Sequence, residues 1–145
     1  MEKFMRISAE DLRTKFKTTW PGIKFVWMQD GFYMVPKIEE LMQMVYISQI
    51  SKLKFNGELM DCDDYSLLLN ASIKRQRIDI SFDMPAEDSF HWAFGEAFGD
   101  KFNRVDETHT LCICAAQEGI YLIEPQTYEY WITNPKNDNV LIIKM

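Results

Sequence analysis

His109–Gln126 reads HTLCICAAQEGIYLIEPQ, and this stretch decides the fold that the sequence predicts. Two apolar runs, 110–116 and 120–123, flank the tripeptide Gln117–Gly119. Apolar runs joined by a short polar turn that contains glycine are typical of a β-hairpin. The sequence therefore predicts two neighbouring antiparallel strands at this point of the chain.

Outward from the hairpin, helices are predicted before it and strands around it. Helical spacing and capping residues predict helices that begin at the Ser8 cap, at Pro36 and after the Asp61 cap. The predicted helices run to about Phe16, Ile50 and Arg75. Further strands are predicted over 23–28, 78–82, 91–98, 128–133 and 140–144. The order predicts an α+β class, with N-terminal helices packed on a C-terminal antiparallel β-sheet.

The length of 145 residues and the 47% of hydrophobic residues fit a single domain, 1–145, with a real core. Residues 1–35 give the weakest pattern and are interpreted as an N-terminal extension. The net charge of −6 argues against nucleic-acid binding, because phosphate contacts need clustered Lys and Arg. The charged N-terminus and the absence of a long apolar run predict a protein without signal peptide or membrane span, and hence a cytoplasmic one.

The sequence has three cysteines, and only one of them stands in polar surroundings. Cys112 and Cys114 share one face of an apolar strand and are predicted to be buried core thiols. Cys62 stands in Met60–Tyr65, MDCDDY, between carboxylates that disfavour a thiolate. Three interpretations are open for it: a reactive thiol, part of a cation site, or a core residue beside a helix cap. At the first turn of a helix, the dipole and the free N–H groups favour the thiolate.

A nucleophilic thiol needs a base and a group that orients the base. His109 opens the first strand of the hairpin, and a tight turn brings Glu124 within a rung or two of it. The order Cys62, His109, Glu124 thus predicts a nucleophile, a base and its orienting carboxylate. The backbone N–H of Cys62 and the side-chain amide of Asn56 are the candidate oxyanion donors.

The segments DCDDY and YLIEPQT, with a histidine that opens a strand between them, resemble a group of papain-like, transglutaminase-like cysteine peptidase domains. This group includes small phage and bacterial proteins and the calcium-dependent C-terminal protease domain of mushroom chimeric lectins. The resemblance covers about 36–133 and implies a papain-like fold, with Cys62, His109 and Glu124 as catalytic residues. It also implies Ca²⁺ or Mn²⁺ at Asp63, Asp64 and Gln126, whose oxygens suit hard cations.

The sequence and the resemblance together predict a metal-assisted cysteine hydrolase or transamidase that acts on amide bonds of a protein or peptide substrate. The alternative is a catalytically silent, phage-type protein of the same scaffold that binds a protein partner through its acidic surface.

Overall fold

The hairpin around Gly119 forms, and it lies within a six-stranded β-sheet. The computed structural model describes residues 5–103 and 105–145. The helices are α1 (Ala9–Thr19), α2 (Ile38–Ser48) and α3 (Cys62–Ser81), and single 3₁₀ turns cover Ile50–Lys52 and Ala86–Asp88. The strands are β1 (Met5–Ser8), β2 (Phe25–Trp27), β3 (Phe32–Val35), β4 (Phe94–Lys101), β5 (His109–Ala116), β6 (Gly119–Ile123), β7 (Tyr130–Ile132) and β8 (Asn139–Lys144).

The large sheet is mixed, and its strand order is β2-β8-β4-β5-β6-β7. Four of its five strand pairs are antiparallel, but β2 runs parallel to β8, with Val26 opposite Ile143. Strands β1 and β3 form a separate antiparallel pair. The predicted α+β, papain-like arrangement of N-terminal helices on a purely antiparallel C-terminal sheet is therefore wrong. A strand from the first 35 residues pairs with the last strand, and a strand precedes the first helix.

Each face of the sheet carries its own hydrophobic cluster. Leu111 and Ile113 of β5 pack with Leu12 and Phe16 of α1 on one face. The intervening residues of β5 point to the other face, because side chains alternate along a strand. There Cys112 and Cys114 pack with α2 and α3. The sheet thus separates α1 from the other two helices.

The beginnings of α1 and α3 lie where the sequence predicts them. Ser8 caps α1 by accepting a hydrogen bond from the Asp11 N–H at 3.1 Å. Asp61 caps α3 in a capping box, in which the Asp64 side chain accepts from the Asp61 N–H at 3.2 Å. Such reciprocal bonds satisfy two N–H groups that the helix itself leaves unpaired. Helix α2 begins at Ile38, two residues after Pro36.

Strands β4 and β8 approach each other closely at Gly95. A Cβ atom at this position would lie 2.2 Å from the carbonyl oxygen of Lys144 and 2.9 Å from the Cα of Met145. Neither contact can relax without moving backbone. Only a residue without a side chain therefore fits here.

No helix in the described part of the chain is long and apolar enough to cross a membrane.

Candidate functional site

The site lies where β5 begins and β6 ends. These two strands are neighbours and antiparallel, with Cys112 opposite Ile123, so His109 and Glu124 meet at the same end of the strand pair. His109 Nε2 lies 2.5 Å from Glu124 Oε2. The other carboxylate oxygen of Glu124 accepts the Gln126 N–H at 3.2 Å. The hairpin thus brings His109 and Glu124 into contact, and their roles as base and orienting carboxylate stay predictions.

The pKa of His109 is raised above its ordinary value. The hydrogen bond to Glu124 is the main cause, and the negative charges of Glu124 and Glu107 add to it. Burial opposes the shift, because a half-buried imidazole loses hydration when it is charged. The pair therefore favours the protonated imidazole, held against a carboxylate.

A pocket of about 370 Å³ opens beside this pair. Its lining combines aromatic rings, carboxylates, amides and a few apolar groups. The lining residues are Phe102, Asn103, Val105, Glu107, His109, Leu111, Glu124, Gln126, Thr127, Glu129 and Trp131. Among them are three glutamates, one histidine and no Lys or Arg, so the described part of the lining is acidic.

Two aromatic rings flank the pair from different elements. Phe102, just after β4, meets the His109 ring edge-on with 6.1 Å between centroids. Trp131 lies in the centre of β7, opposite Leu122 of β6. The sequence indicates no role in a site for either ring. Trp131 lies within the strand predicted over 128–133, whereas Phe102 lies outside every predicted strand.

Cys62 begins α3, on the other face of the sheet from Leu111. Cys112 Sγ lies 3.5 Å from the carbonyl oxygen of Ser66, and the Ser66 hydroxyl donates to the carbonyl of Cys62 at 2.8 Å. This packs the first turns of α3 against the face of β5 that carries Cys112, whereas the pocket is lined by Leu111. Within residues 5–103 and 105–145 no hydrogen bond joins Cys62 to His109 or Glu124. The structure thus brings together two members of the predicted triad, and the nucleophilic role of Cys62 stays a prediction.

Asn56 lies in the exposed loop before α3. Its backbone N–H donates to the carbonyl of Met60 at 2.9 Å and closes a short turn. The loop does fold back toward the start of α3. A role of the Asn56 side chain as an oxyanion donor stays a prediction.

The aspartates at the start of α3 lie together. One oxygen each from Asp61, Asp63 and Asp64 lies within 4.8 Å of the others. Two of these side chains, Asp61 and Asp64, take part in the capping box. The buried Oδ1 of Asp61 has no hydrogen-bond partner among the described residues. Gln126 lines the pocket beside Glu124. Binding of Ca²⁺ or Mn²⁺ by Asp63, Asp64 and Gln126 stays a prediction.

The remaining cysteines are core residues, as predicted. Cys112 and Cys114 are fully buried, and burial raises the pKa of both thiols well above the usual range. A neutral thiol in this position behaves as a small apolar side chain.

Comparison with known proteins identifies the fold. No protein-family model matches the sequence, and no curated protein matches it. Two similar solved structures are a PSL1a–E64 complex (TM-score 0.77, 15% identity) and Polyporus squamosus lectin bound to the human-type influenza-binding epitope Neu5Aca2-6Galb1-4GlcNAc (TM-score 0.73, 14% identity). The matches cover 97% of this chain but only 51% and 49% of those chains. At this identity the likeness shows the fold alone, and the chain spans about half the length of each neighbour.

These comparisons correct the family and the function predicted from the sequence. One neighbour is described as a lectin with a bound oligosaccharide, and the other as a complex with E64. They replace the assignment to papain-like or transglutaminase-like cysteine peptidases, and with it the cysteine hydrolase or transamidase activity. The protein or peptide substrate and the silent, phage-type protein binder are corrected in the same way.

Proposed function

We propose that the pocket between the His109–Glu124 pair and Trp131 binds a carbohydrate. The observation that carries the proposal is the composition of the lining, which places aromatic rings beside closely spaced carboxylate, amide and hydroxyl groups. Sugars present hydroxyls that donate to carboxylates and C–H faces that pack on aromatic rings. The neighbour with a bound sialylated trisaccharide supports the choice of ligand class. Since only half of that lectin is matched, its ligand is a starting point for the test.

The size of the pocket suits a small sugar. A volume of about 370 Å³ lies at the lower end of the range for ligand sites, which is about 300–1,000 Å³. One or two sugar rings fill such a space, with the remainder of a longer glycan in solvent.

The charge of the described lining residues favours neutral sugars over acidic ones. Glu107, Glu124 and Glu129 face the pocket, and His109 is already engaged by Glu124. Carboxylates accept hydrogen bonds from hydroxyl or acetamido groups and repel the carboxylate of a sialic acid. We therefore propose that the lactosamine part of a glycan occupies the pocket in preference to Neu5Ac.

Ligand-observed NMR and calorimetric titration with lactosamine, its sialylated form and free Neu5Ac test the proposal. We expect saturable binding of lactosamine that Trp131→Ala weakens about tenfold or more, equivalent to about 1.4 kcal/mol. Trp27→Ala is the matched control, because Trp27 is an exposed tryptophan on β2, at the far end of the sheet. We expect this control to change the affinity less than about twofold.

Absence of saturable binding to every sugar in the panel would overturn the proposed function. Equal weakening by Trp27→Ala would place the sugar outside the pocket. Tighter binding of free Neu5Ac than of lactosamine would contradict the preference for neutral sugars.

A further inference from the structure

We propose that Asp138 is the positioning residue of the pocket: it does not line the pocket itself, and it holds two lining elements in place, the turn at Asn103 and the ring of Trp131. The effect on affinity rests on the proposed function, whereas the effect on pocket geometry does not. Asp138 is fully buried and lies just before β8, outside the lining of the pocket.

The carboxylate of Asp138 accepts hydrogen bonds from two segments of the chain, Asn103 and residues 131–134. Oδ1 accepts the Asn103 N–H at 2.7 Å, and both oxygens lie 3.3 Å from the Trp131 indole nitrogen. Oδ2 also accepts the Asn134 N–H at 2.9 Å and the Thr133 hydroxyl at 3.3 Å. A buried carboxylate with this many donors is held in one orientation, because each bond it lost would leave a polar group unpaired.

Two of these donors belong to the pocket. Asn103 stands in a turn closed by reciprocal backbone hydrogen bonds between Phe102 and Val105, and all three residues line the pocket. Asn103 has a φ of +48°, a conformation that non-glycine residues adopt rarely. Its bond to Asp138 holds this turn in place. The bond to the indole N–H fixes the ring of Trp131, which also lines the pocket.

The backbone of Asp138 is itself anchored. Its carbonyl accepts the indole N–H of Trp20 at 3.0 Å, and its N–H donates to the Asn134 carbonyl at 2.8 Å. Trp20 belongs to the hydrophobic cluster on the α1 face of the sheet. Asp138 thus connects both the turn at Asn103 and the ring of Trp131 to the hydrophobic core.

The substitution Asp138→Asn tests the inference because it keeps the shape and removes one acceptor. The four donating groups then face one oxygen and one NH₂ group, so at least one donor loses its partner. Asp100→Asn is the matched control, since Asp100 is exposed and accepts the Asn139 side-chain amide at 2.7 Å outside the pocket. The readouts are the ¹⁵N–¹H signals of the Trp131 indole and the Asn103 amide, thermal unfolding, and titration with lactosamine.

We expect Asp138→Asn to shift both signals, to speed hydrogen exchange at the Trp131 indole and to weaken lactosamine binding about tenfold. Asp100→Asn should leave both signals in place and change affinity less than about twofold. A folded Asp138→Asn protein with unchanged Trp131 and Asn103 signals would overturn the inference. Shifted signals with unchanged affinity would also overturn it, since Asp138 would then serve only the fold.

Two further measurements test the inference if the variant does not fold or if the unchanged protein binds no sugar. If Asp138→Asn does not fold, hydrogen exchange is measured in the unchanged protein. There the Trp131 indole N–H should exchange at least about tenfold more slowly than that of Trp27, and equal rates would contradict the inference. If the unchanged protein binds no sugar, the proposed function fails, while the two NMR signals still decide whether Asp138 positions the two lining elements.

Discussion

Glu124 holds two neighbours at once, one with each carboxylate oxygen. Oε2 contacts His109 Nε2 at 2.5 Å and Oε1 accepts the Gln126 N–H at 3.2 Å. These two contacts fix the orientation of the Glu124 carboxylate at the end of β6. The charge of His109 then depends on one partner, because Glu124 is the main cause of its raised pKa.

Glu124→Gln should lower the pKa of His109 and reduce stability in a defined pH range. A histidine with a raised pKa stabilises the fold fully below its unfolded value, about 6.5, and loses this effect as the pH rises through the folded value. The stability lost in the variant is thus expected to be largest near pH 5–6 and to shrink at alkaline pH. Each unit of pKa corresponds to about 1.4 kcal/mol.

Urea unfolding at several pH values and an NMR titration of His109 check this expectation. Glu129→Gln is the control, because Glu129 lines the same pocket but does not shift the pKa of His109. A stability difference that grows from pH 6 to pH 9 would have the wrong sign and would contradict the assignment.

Iodoacetamide should label Cys62 in the native protein and leave Cys112 and Cys114 unmodified. Cys62 is partly exposed, whereas the other two thiols are fully buried with raised pKa values. Mass spectrometry of peptides locates the label, and denatured protein, in which all three react, is the control. The pH dependence of the rate in the native protein and in His109→Ala tests the predicted nucleophilic role of Cys62. A rate independent of His109 would leave that role without support.

Among the helices and strands, the sequence predicts those that are marked by patterns in neighbouring residues. The hairpin follows from two apolar runs and a glycine turn, and the starts of α1 and α3 follow from Ser8 and Asp61. The end of α3 is not predictable in this way. Residues 78–82 alternate like a strand, yet α3 continues to Ser81.

A long-range contact accounts for the longer helix. Arg77 is buried, donates to the carbonyls of Asp88 and Phe90 at 2.8 Å and stacks on the ring of Trp92 at 4.4 Å. Ile78 and Ile80 are exposed on this helix, so their spacing reflects no buried strand face. Tertiary packing here overrides the local pattern.

In the candidate site, too, some contacts follow from local sequence patterns and others do not. The contact between His109 and Glu124 follows from the hairpin register and was predictable. Trp131 reaches the pocket through β7, which pairs with the preceding strand β6 and lies within a predicted strand. Asn103 is held by Asp138, 35 residues away in sequence, and no local motif indicates that contact.

The close approach of β4 and β8 predicts the effect of a single methyl group. Gly95→Ala should lower the free energy of unfolding by about 1–3 kcal/mol or more, because its Cβ would collide with backbone atoms of Lys144 and Met145. Gly31→Ala is the control, since no atom lies within 4 Å of a Cβ built there. Denaturant unfolding of both variants measures the difference. Equal stabilities would show that β8 can move away from β4 at little cost.

In the molecule as a whole, one β-sheet contributes side chains to two hydrophobic clusters, one on each of its faces. Leu12 in the α1 cluster and Leu69 in the α2–α3 cluster are both fully buried, on opposite faces. Alanine at either position should cost about 2–5 kcal/mol. Because both clusters rest on the same strands, each variant should lower the midpoint of one shared unfolding transition.

Calorimetry together with fluorescence checks for that single transition. Leu67→Ala is the control, because Leu67 lies on the same helix as Leu69 but is about half exposed. Two separate transitions, with each variant moving only one of them, would show that the cores unfold independently.

The order of strands also bears on how the molecule behaves in crowded solution. Both ends of the six-stranded sheet are closed by strands of three residues, β2 and β7. An outermost strand this short offers few free N–H and C=O groups to another molecule, which limits fibrous self-association. The next strand in the sheet after β2 is β8, and its six residues include the buried Val140 and Ile143. Detachment of residues 25–27 alone would therefore turn a protected sheet into a template on which further copies could stack.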